Sequence, residues 1–269
     1  MDGNKKNNIR FNSFIIKKDY LSAIDGFPIF LTANGDLGIR SKLYLNIDQY
    51  LDEIGFAQDF IHRLDPDVRE ALRHVENWLV VADKFRKLKA FEIADNLIEH
   101  FSEIKDRLSI KKNNIGFLRF IAKSGLGVSK FSSLGYKFFS SKNELVAINN
   151  KLFVGNKISF LIMKHPWADE SWLTFVSEEY YDGDNENTIR NFMDSLGIHT
   201  MTKDKLFNEV FSNDENIKYI SEAISDKKTN KSFYRFMADN FYDPRYKYTR
   251  KMRDNFILFV TNGKKEVTA

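Results

Sequence analysis

Apolar residues recur every three or four positions in several stretches of the chain, which is the spacing of one face of an α-helix. The pattern is clearest over residues 83–108, where the opposite face is charged. Residues 44–60 and 66–83 show the same period. Asp65 and Pro66 supply a capping residue followed by a proline suited to the first helical position. These stretches predict helices in the first half of the chain.

Other stretches show alternation or short apolar runs, which are typical of β-strands. Residues 14–18 (FIIKK) and 28–39 (PIFLTANGDLGI) predict strands, and Asn34 with Gly35 can provide the positive φ angles of a tight hairpin. Residues 136–181 predict an antiparallel β-meander, because five apolar runs are separated there by turn residues. The five runs are YKFFSS, ELVAIN, LFVG, ISFLIM and WLTFVSEEYY.

Four further helical stretches follow residue 187, and each opens near an Asn, Thr or Asp that can cap a helix. The predicted fold class is therefore α+β, with a central antiparallel β-meander. An N-terminal hairpin with helices and a C-terminal helical segment flank the meander. The predicted segments are 1–110, 111–187 and 188–269, which can also form one compact domain. The four helical stretches are NTIRNFMDSLG, TKDKLFNEVFS, DENIKYISEAIS and NKSFYRFMADNFY.

Composition favours a folded chain and excludes several kinds of site. Of the 269 residues, 43% are apolar and 25 are Phe, which is enough for a sizeable core. The chain has no Cys, which excludes disulfides, thiolate nucleophiles and cysteine-built metal sites. No apolar run is long enough to cross a bilayer, and the N-terminus lacks the pattern of a signal peptide. We therefore expect a soluble cytoplasmic protein that does not associate with membranes.

Charge is unevenly distributed, although the net charge is only +4. Residues 165–189 contain no Lys or Arg but seven acidic residues. Residues 227–253 show the reverse, with nine basic residues against Asp239 and Asp243. We call residues 169–186 the acidic block, and its members are Asp169, Glu170, Glu178, Glu179, Asp182, Asp184 and Glu186.

The basic stretch predicts a nucleic-acid-binding surface. Asp243 and Pro244 can begin a helix that runs to about residue 260, at roughly 100° per residue. Tyr248, Met252, Phe256 and Phe259 then share one side, and the cations share the other, as binding along a phosphate backbone requires. The alternative is an ordinary solvated helix face. The predicted binding residues are Lys231, Arg235, Lys247, Arg250, Lys251 and Arg253.

A second basic stretch, residues 118–139, loosely matches a helix-turn-helix followed by strands. Its spacing departs from the motif, because Lys123 stands where a small residue is expected. The alternative is a helix and turn leading into a sheet. If the motif is real, its groove-facing residues are Ser129, Lys130, Ser132 and Ser133.

The sequence contains no established catalytic, metal or cofactor motif, so no catalytic residue, metal ligand or cofactor is predicted. In DGDNEN (182–187), Asn187 stands where a calcium loop requires Gly, and Met193 stands where it requires Glu. The acidic block nevertheless offers carboxylates of the kind that hold divalent ions in nucleases. Trp167 is equally suited to core packing and to contact with a protein partner.

Three functions remain open at this point. The leading hypothesis is a non-enzymatic nucleic-acid-associated or assembly subunit that uses the basic C-terminal helix. The second is a metal-dependent nuclease that uses the acidic block, and the third is a protein-interaction component without nucleic acid. The expected partners are thus nucleic acid or another protein. Richness in Lys, Asn, Ile and Phe favours a bacterial or phage source with an AT-rich genome.

Overall fold

The chain divides into two compact units, Met1–Tyr136 and Lys137–Ala269, in a computed structural model. Both units combine helices with small two-stranded sheets, so the α+β class is consistent with the structure. None of the described helices has the length and hydropathy that crossing a membrane requires. The structure describes residues 3–18, 20, 26–45, 50–86, 89–169, 171–211, 213–241, 259–262 and 265–268.

The first unit is mainly helical and contains one hairpin. Its strands are β1 (Pro28–Leu31) and β2 (Leu37–Ile39). Short 3-10 segments cover Arg40–Lys42, Gly55–Phe60 and Lys105–Ser109. Its helices are α1 (Gly3–Lys17), α2 (Leu51–Ile54), α3 (Pro66–Leu72), α4 (Trp78–Ala82), α5 (Ala90–Glu99), α6 (Phe101–Ile104), α7 (Lys111–Ser124) and α8 (Val128–Ser132).

Local signals in the first unit are confirmed where a specific residue sets the backbone. Strands β1 and β2 pair antiparallel, and Gly35 has φ +91° in the turn between them. Asp65 caps α3, because its carboxylate accepts hydrogen bonds from the backbone N–H groups of Asp67 (3.0 Å) and Val68 (3.1 Å). Pro66 is the first residue of that helix, as predicted.

The strand predicted at residues 14–18 is wrong, because this stretch is the end of α1. Helical spacing buries Asn12, Ile15 and Ile16 on one side of α1. The amide of Asn12 also donates a hydrogen bond to the carbonyl of Ile29 at 3.0 Å, which fixes the helix against β1. Five residues are too few to separate a helical period from a strand period, so the surrounding packing decides.

The long helix predicted over residues 83–108 is shorter and interrupted. It begins at Ala90, and α5 ends at Glu99 because His100 has φ −95° and ψ 18°. Residues 109–114 span the predicted boundary between the first two segments, and they run from the end of the 3-10 segment into the start of α7. Asn114 is buried there and donates to the carbonyl of Leu108 at 2.9 Å. The division into three segments stays a prediction.

The second unit places short strands before a series of helices. It contains a 3-10 turn, Glu178–Tyr180. Its strands are β3 (Lys137–Phe139), β4 (Leu145–Ala147), β5 (Leu152–Phe153), β6 (Thr174–Phe175), β7 (Phe259–Asn262) and β8 (Lys265–Thr268). Its helices are α9 (Lys157–Ile162), α10 (Glu186–Ser195), α11 (Lys203–Phe211), α12 (Asp214–Ala223) and α13 (Lys227–Phe241).

The predicted central meander is not confirmed. Strands β3 and β4 form an antiparallel hairpin, but β5 and β6 pair in parallel. The run ISFLIM, predicted as a strand, forms α9. The Asn156 side chain accepts from the Ser159 backbone N–H (2.8 Å), and the Ser159 hydroxyl accepts from the Asn156 N–H (2.7 Å). This capping box starts a helix that the strand-like composition of the run conceals.

The four helices predicted after residue 187 are confirmed as α10 to α13. The core of the second unit gathers residues from α9 and α11 to α13 around Trp167, which is fully buried. Trp172 is only half-buried and packs edge-on against Tyr219, with 5.5 Å between ring centroids. Of the two roles considered for Trp167, the structure shows core packing.

Candidate nucleic-acid interface

Helix α13 carries the two predicted binding residues that the structure describes, and its inner side fixes its orientation. Phe233, Phe236 and Met237 are buried, with a spacing of three and one that keeps them on one side. The indole of Trp167 packs edge-on against Phe233 at 4.9 Å and lies 5.3 Å from Phe236. Because this side packs against the core, the opposite side of the helix faces outward.

The start of α13 is set by Asp226. Its carboxylate accepts a hydrogen bond from the backbone N–H of Thr229 at 2.8 Å, and its carbonyl accepts one from Asn230 at 2.8 Å. The backbone and side-chain hydrogen bonds from Thr229 hold the pKa of Asp226 below its ordinary value. The acidic residue nearest the start of the helix is therefore occupied by capping.

The outward side of α13 is cationic. Lys231 and Arg235 are exposed and four residues apart, so their Cβ atoms lie about 5–6 Å from each other on the same face. Lys227 is exposed one turn before Lys231, and Lys228 is exposed beside it. We call Lys227, Lys228, Lys231 and Arg235 the α13 surface.

Electrostatic pairing within the described part of the chain leaves Lys231 and Arg235 available to an anion. Arg235 has a carboxylate nearby, that of Asp239, but the Nε to Oδ2 distance is 3.9 Å and the two side chains are 81% and 68% exposed. Pairs of this kind are held weakly in water. Lys231 forms no ion pair within the described part of the chain. A phosphate oxygen would compete easily for both cations.

Two more polar side chains lie on α13 or against it. Burial raises the pKa of Tyr234 to about 12, so its hydroxyl is neutral and remains a hydrogen-bond donor. The ammonium group of Lys203, at the start of α11, lies 5.4 Å from the ring centroid of Phe241 at the end of α13. Sequence reasoning missed Lys203, because the two residues meet only through tertiary packing and no local pattern links them.

The other predicted cations, Lys247, Arg250, Lys251 and Arg253, lie outside the residues that the structure describes. The helix predicted from Asp243 to about residue 260 lies mostly outside them as well. Its last two residues are an exception, because Phe259 and Val260 belong to strand β7. The helical end of that prediction is wrong at these two positions, and the remainder stays a prediction.

The acidic block shows no metal centre in the part of the chain that is described. No group of three or more His, Asp or Glu side chains there could hold a metal ion. Asp169 instead accepts a hydrogen bond from the Ser171 N–H at 2.7 Å, and the hydrogen bonds from Ser171 lower its pKa. Glu186 pairs with Arg190, with Nε and Oε1 2.6 Å apart. Glu170 lies outside the described residues.

The basic stretch at residues 118–139 covers the end of α7, a turn at Gly125, the five-residue helix α8 and strand β3. Lys130 forms an ion pair with Asp95. The hydroxyls of Ser132 and Ser133 donate to backbone carbonyls three residues earlier, each at 3.0 Å. Three of the four predicted groove-facing side chains thus have partners within the protein, and α8 is shorter than a recognition helix would need.

A Ser–His contact also occurs on α13, where Ser232 Oγ lies 3.5 Å from His165 Nδ1. That distance exceeds the hydrogen-bond reach expected of an activated nucleophile and its base. The His165 ring stacks on Trp167 with 5.1 Å between centroids and an interplanar angle of 15°. Burial lowers the pKa of His165. The contact therefore fits packing against the core.

Comparisons with protein-family models, with curated proteins and with solved structures found no match. The function proposed for this chain therefore rests on the physical properties of its own residues.

Proposed function

We propose that this protein is a non-enzymatic nucleic-acid-associated subunit, acting in the cytoplasm of a bacterial or phage system. It contacts the phosphate backbone through the α13 surface and through the basic residues 245–253 that follow. The observation that carries the proposal is the separation of the two sides of α13. Its aromatic side is buried against Trp167, while its exposed side presents Lys231 and Arg235.

The α13 surface suits phosphate contacts better than it suits base reading. Its members are flexible Lys side chains and one Arg, which satisfy phosphate oxygens regardless of sequence. Binding of this kind releases counterions that are condensed on the nucleic acid, so the affinity depends strongly on the salt concentration. We therefore expect sequence-independent binding that weakens steeply as the salt concentration rises.

The first prediction concerns the double variant Lys231→Glu and Arg235→Glu. We expect it to weaken binding to a fluorescein-labelled duplex by at least about tenfold at low salt and to flatten the salt dependence, because two phosphate contacts are replaced by repulsion. Fluorescence anisotropy across a salt series measures both quantities. A triple reversal of Arg250, Lys251 and Arg253 to Glu tests the residues that follow α13.

The matched control is Lys105→Glu with Lys112→Glu, two exposed cations of the first unit. Each reversal lowers the net charge by two, so both double variants change it from +4 to 0. We expect the control to retain most of the affinity. Equal weakening by both variants would show a general effect of net charge, and an unaltered protein that fails to bind at low salt would refute the proposal. Magnesium-dependent cleavage of the duplex would instead favour a nuclease.

A further inference from the structure

Helix α1 has an unusual charge pattern that the α13 surface does not explain. Over Gly3–Lys17 it contains Lys5, Lys6, Arg10 and Lys17 but no acidic residue, and Lys18 follows directly. Alternating signs of charge are typical of a solvent-exposed helix face, and α1 lacks them.

The orientation of α1 is fixed on its inner side by three kinds of contact. Ile15 and Ile16 are buried in the core of the first unit. The side-chain amides of Asn8 and Asn12 donate to the carbonyl of Ile29 at 2.8 and 3.0 Å. The Lys5 ammonium bridges the carboxylates of Asp65 and Asp67 at 3.0 and 2.8 Å. Helix α1 therefore cannot roll without breaking buried contacts.

Three aromatic rings stand on the outer side. Phe11 is 48% exposed, Phe14 is 54% exposed and Tyr20, just after the helix, is 51% exposed. The centroids of the Phe14 and Tyr20 rings are 6.2 Å apart. Phe11 and Phe14 are three residues apart, which places them side by side on one helix face. Each ring thus offers a separate apolar plane to solvent.

Exposed cations alternate with these rings along α1 and directly after it. Lys6, Arg10, Lys17 and Lys18 are exposed, and none of them forms an ion pair with any residue that the structure describes. Lys5 differs, since Asp65 and Asp67 neutralise it. We call the outward-facing set the α1 surface, and its members are Lys6, Arg10, Phe11, Phe14, Lys17, Lys18 and Tyr20.

Rings interleaved with cations fit one kind of partner best. Single-stranded nucleic acid presents unstacked bases that stack on aromatic side chains, together with phosphates that pair with Lys and Arg. The bases of a duplex are stacked on one another in its interior, so they could not stack on the three rings. A bilayer would require a broad apolar face turned outward, whereas the aliphatic residues Ile15 and Ile16 of α1 already face the core.

We propose that the α1 surface binds single-stranded nucleic acid, with bases stacked on Phe11, Phe14 and Tyr20 and phosphates held by Lys6, Arg10, Lys17 and Lys18. This surface lies in the first unit and shares no residue with the α13 surface. The proposal extends the proposed function by naming the strand state that the protein recognises, and it can be tested separately.

The test compares ring removal with cation removal in the full chain, using fluorescein-labelled oligo(dT). Phe11→Ala with Phe14→Ala should weaken oligo(dT) binding by at least about tenfold while the salt slope stays unchanged, because stacking releases no counterions. Arg10→Gln with Lys17→Gln should instead reduce the slope, by roughly 0.7 for each cation removed. Phe11→Tyr with Phe14→Tyr keeps both rings and should keep the affinity.

The matched control for ring removal is Phe91→Ala, a phenylalanine of α5 with a similar exposed fraction of 46%. It should leave oligo(dT) binding unchanged. Urea unfolding of every variant checks that the fold is intact. The same Phe11 and Phe14 variant should bind a duplex as the unaltered protein does.

Four outcomes would overturn the proposal. The first is that the unaltered protein does not bind oligo(dT) at low salt, and the second is that ring removal leaves the oligo(dT) affinity unchanged. The third is that ring removal weakens duplex binding as much as oligo(dT) binding. The fourth is that ring removal weakens only the binding of anionic phosphatidylserine vesicles. The last would assign the surface to membranes. If Lys231→Glu with Arg235→Glu abolished oligo(dT) binding and ring removal did not, the α13 surface would be retained and the α1 surface rejected. If ring removal abolished oligo(dT) binding and the α13 variant did not, the α1 surface would be retained and the α13 surface rejected.

Discussion

Gly116 lies where helix α7 passes against α2 in the first unit. A Cβ atom at this position would lie 2.4 Å from the carbonyl oxygen and 2.9 Å from the Cα atom of Glu53. Both atoms belong to the backbone, so no side-chain rotation can relieve the overlap. The absence of a side chain at Gly116 is therefore required by the packing of these two helices.

We accordingly predict that Gly116→Ala lowers the free energy of unfolding by about 1–3 kcal/mol, the usual cost of forcing extra atoms into a packed interior. Urea unfolding followed by circular dichroism measures the change. Gly55→Ala is the control, since no heavy atom lies within 4 Å of a Cβ at that position. Equal effects of the two substitutions would mean that helix propensity, and not the contact with Glu53, decides the outcome.

The pKa of His165 is lowered by burial from its ordinary value of 6.5, so the folded protein resists protonation of this ring. Below that pH the unfolded chain takes up a proton that the folded chain does not, and the folded state loses stability. Stability contributed by neutral His165 is thus present above about pH 6.5 and declines as the pH falls. The direction follows from the lowered pKa of a basic group.

His165→Gln should therefore reduce the loss of stability between about pH 7.5 and about pH 5.5, because the titrating ring is gone. Urea midpoints at the two pH values provide the measurement. His62→Gln is the matched variant, because it removes an exposed histidine of the first unit and leaves His165 in place. An identical decline with and without His165 would show that other groups cause it.

Among the elements, α9 depends on one side chain with two separable tasks. Asn156 Oδ1 accepts from the Ser159 N–H at 2.8 Å, which caps the helix. Asn156 Nδ2 donates to the carbonyl of Met201 and so connects the start of α9 to the segment before α11. An aspartate at this position would keep the cap but lose the donor.

We predict that Asn156→Ala lowers the free energy of unfolding by about 2 kcal/mol, from the loss of a cap and of a partly buried hydrogen bond at about 1 kcal/mol each. Asn156→Asp should cost about half as much, since its carboxylate still accepts from the Ser159 N–H. Urea unfolding of both variants measures the difference. If Asn156→Asp destabilised the protein as much as Asn156→Ala, the cap would contribute nothing.

The elements also show which sequence signals suffice. The hairpin at Gly35, the Asp65–Pro66 helix start and the four helices after residue 187 were predictable, because a turn residue, a cap or a long period defines each. The runs FIIKK and ISFLIM were assigned wrongly. Both are short, and their packing includes hydrogen bonds from Asn12 to Ile29 and from Asn156 to Met201, which no local pattern reveals.

At the scale of the whole molecule, each unit presents an exposed cationic helix face backed by an aromatic or aliphatic core. The excess of basic residues over 227–253 is what predicts Lys231 and Arg235 as binding residues, and both side chains are exposed. The α1 surface could not be found in the same way, because the run FIIKK within it predicts a strand. Composition also cannot distinguish an exposed Phe11 or Phe14 from the many buried phenylalanines of the core.

The position of Trp167 makes it an optical reporter of the second unit. Its indole is fully buried, whereas Trp172 is half-buried and Trp78 lies in the core of the first unit. A variant with phenylalanine at positions 78 and 172 would therefore emit from one dry environment in the second unit alone. During unfolding, a red shift of that emission would show when water reaches the core that supports α13, independently of unfolding in the first unit.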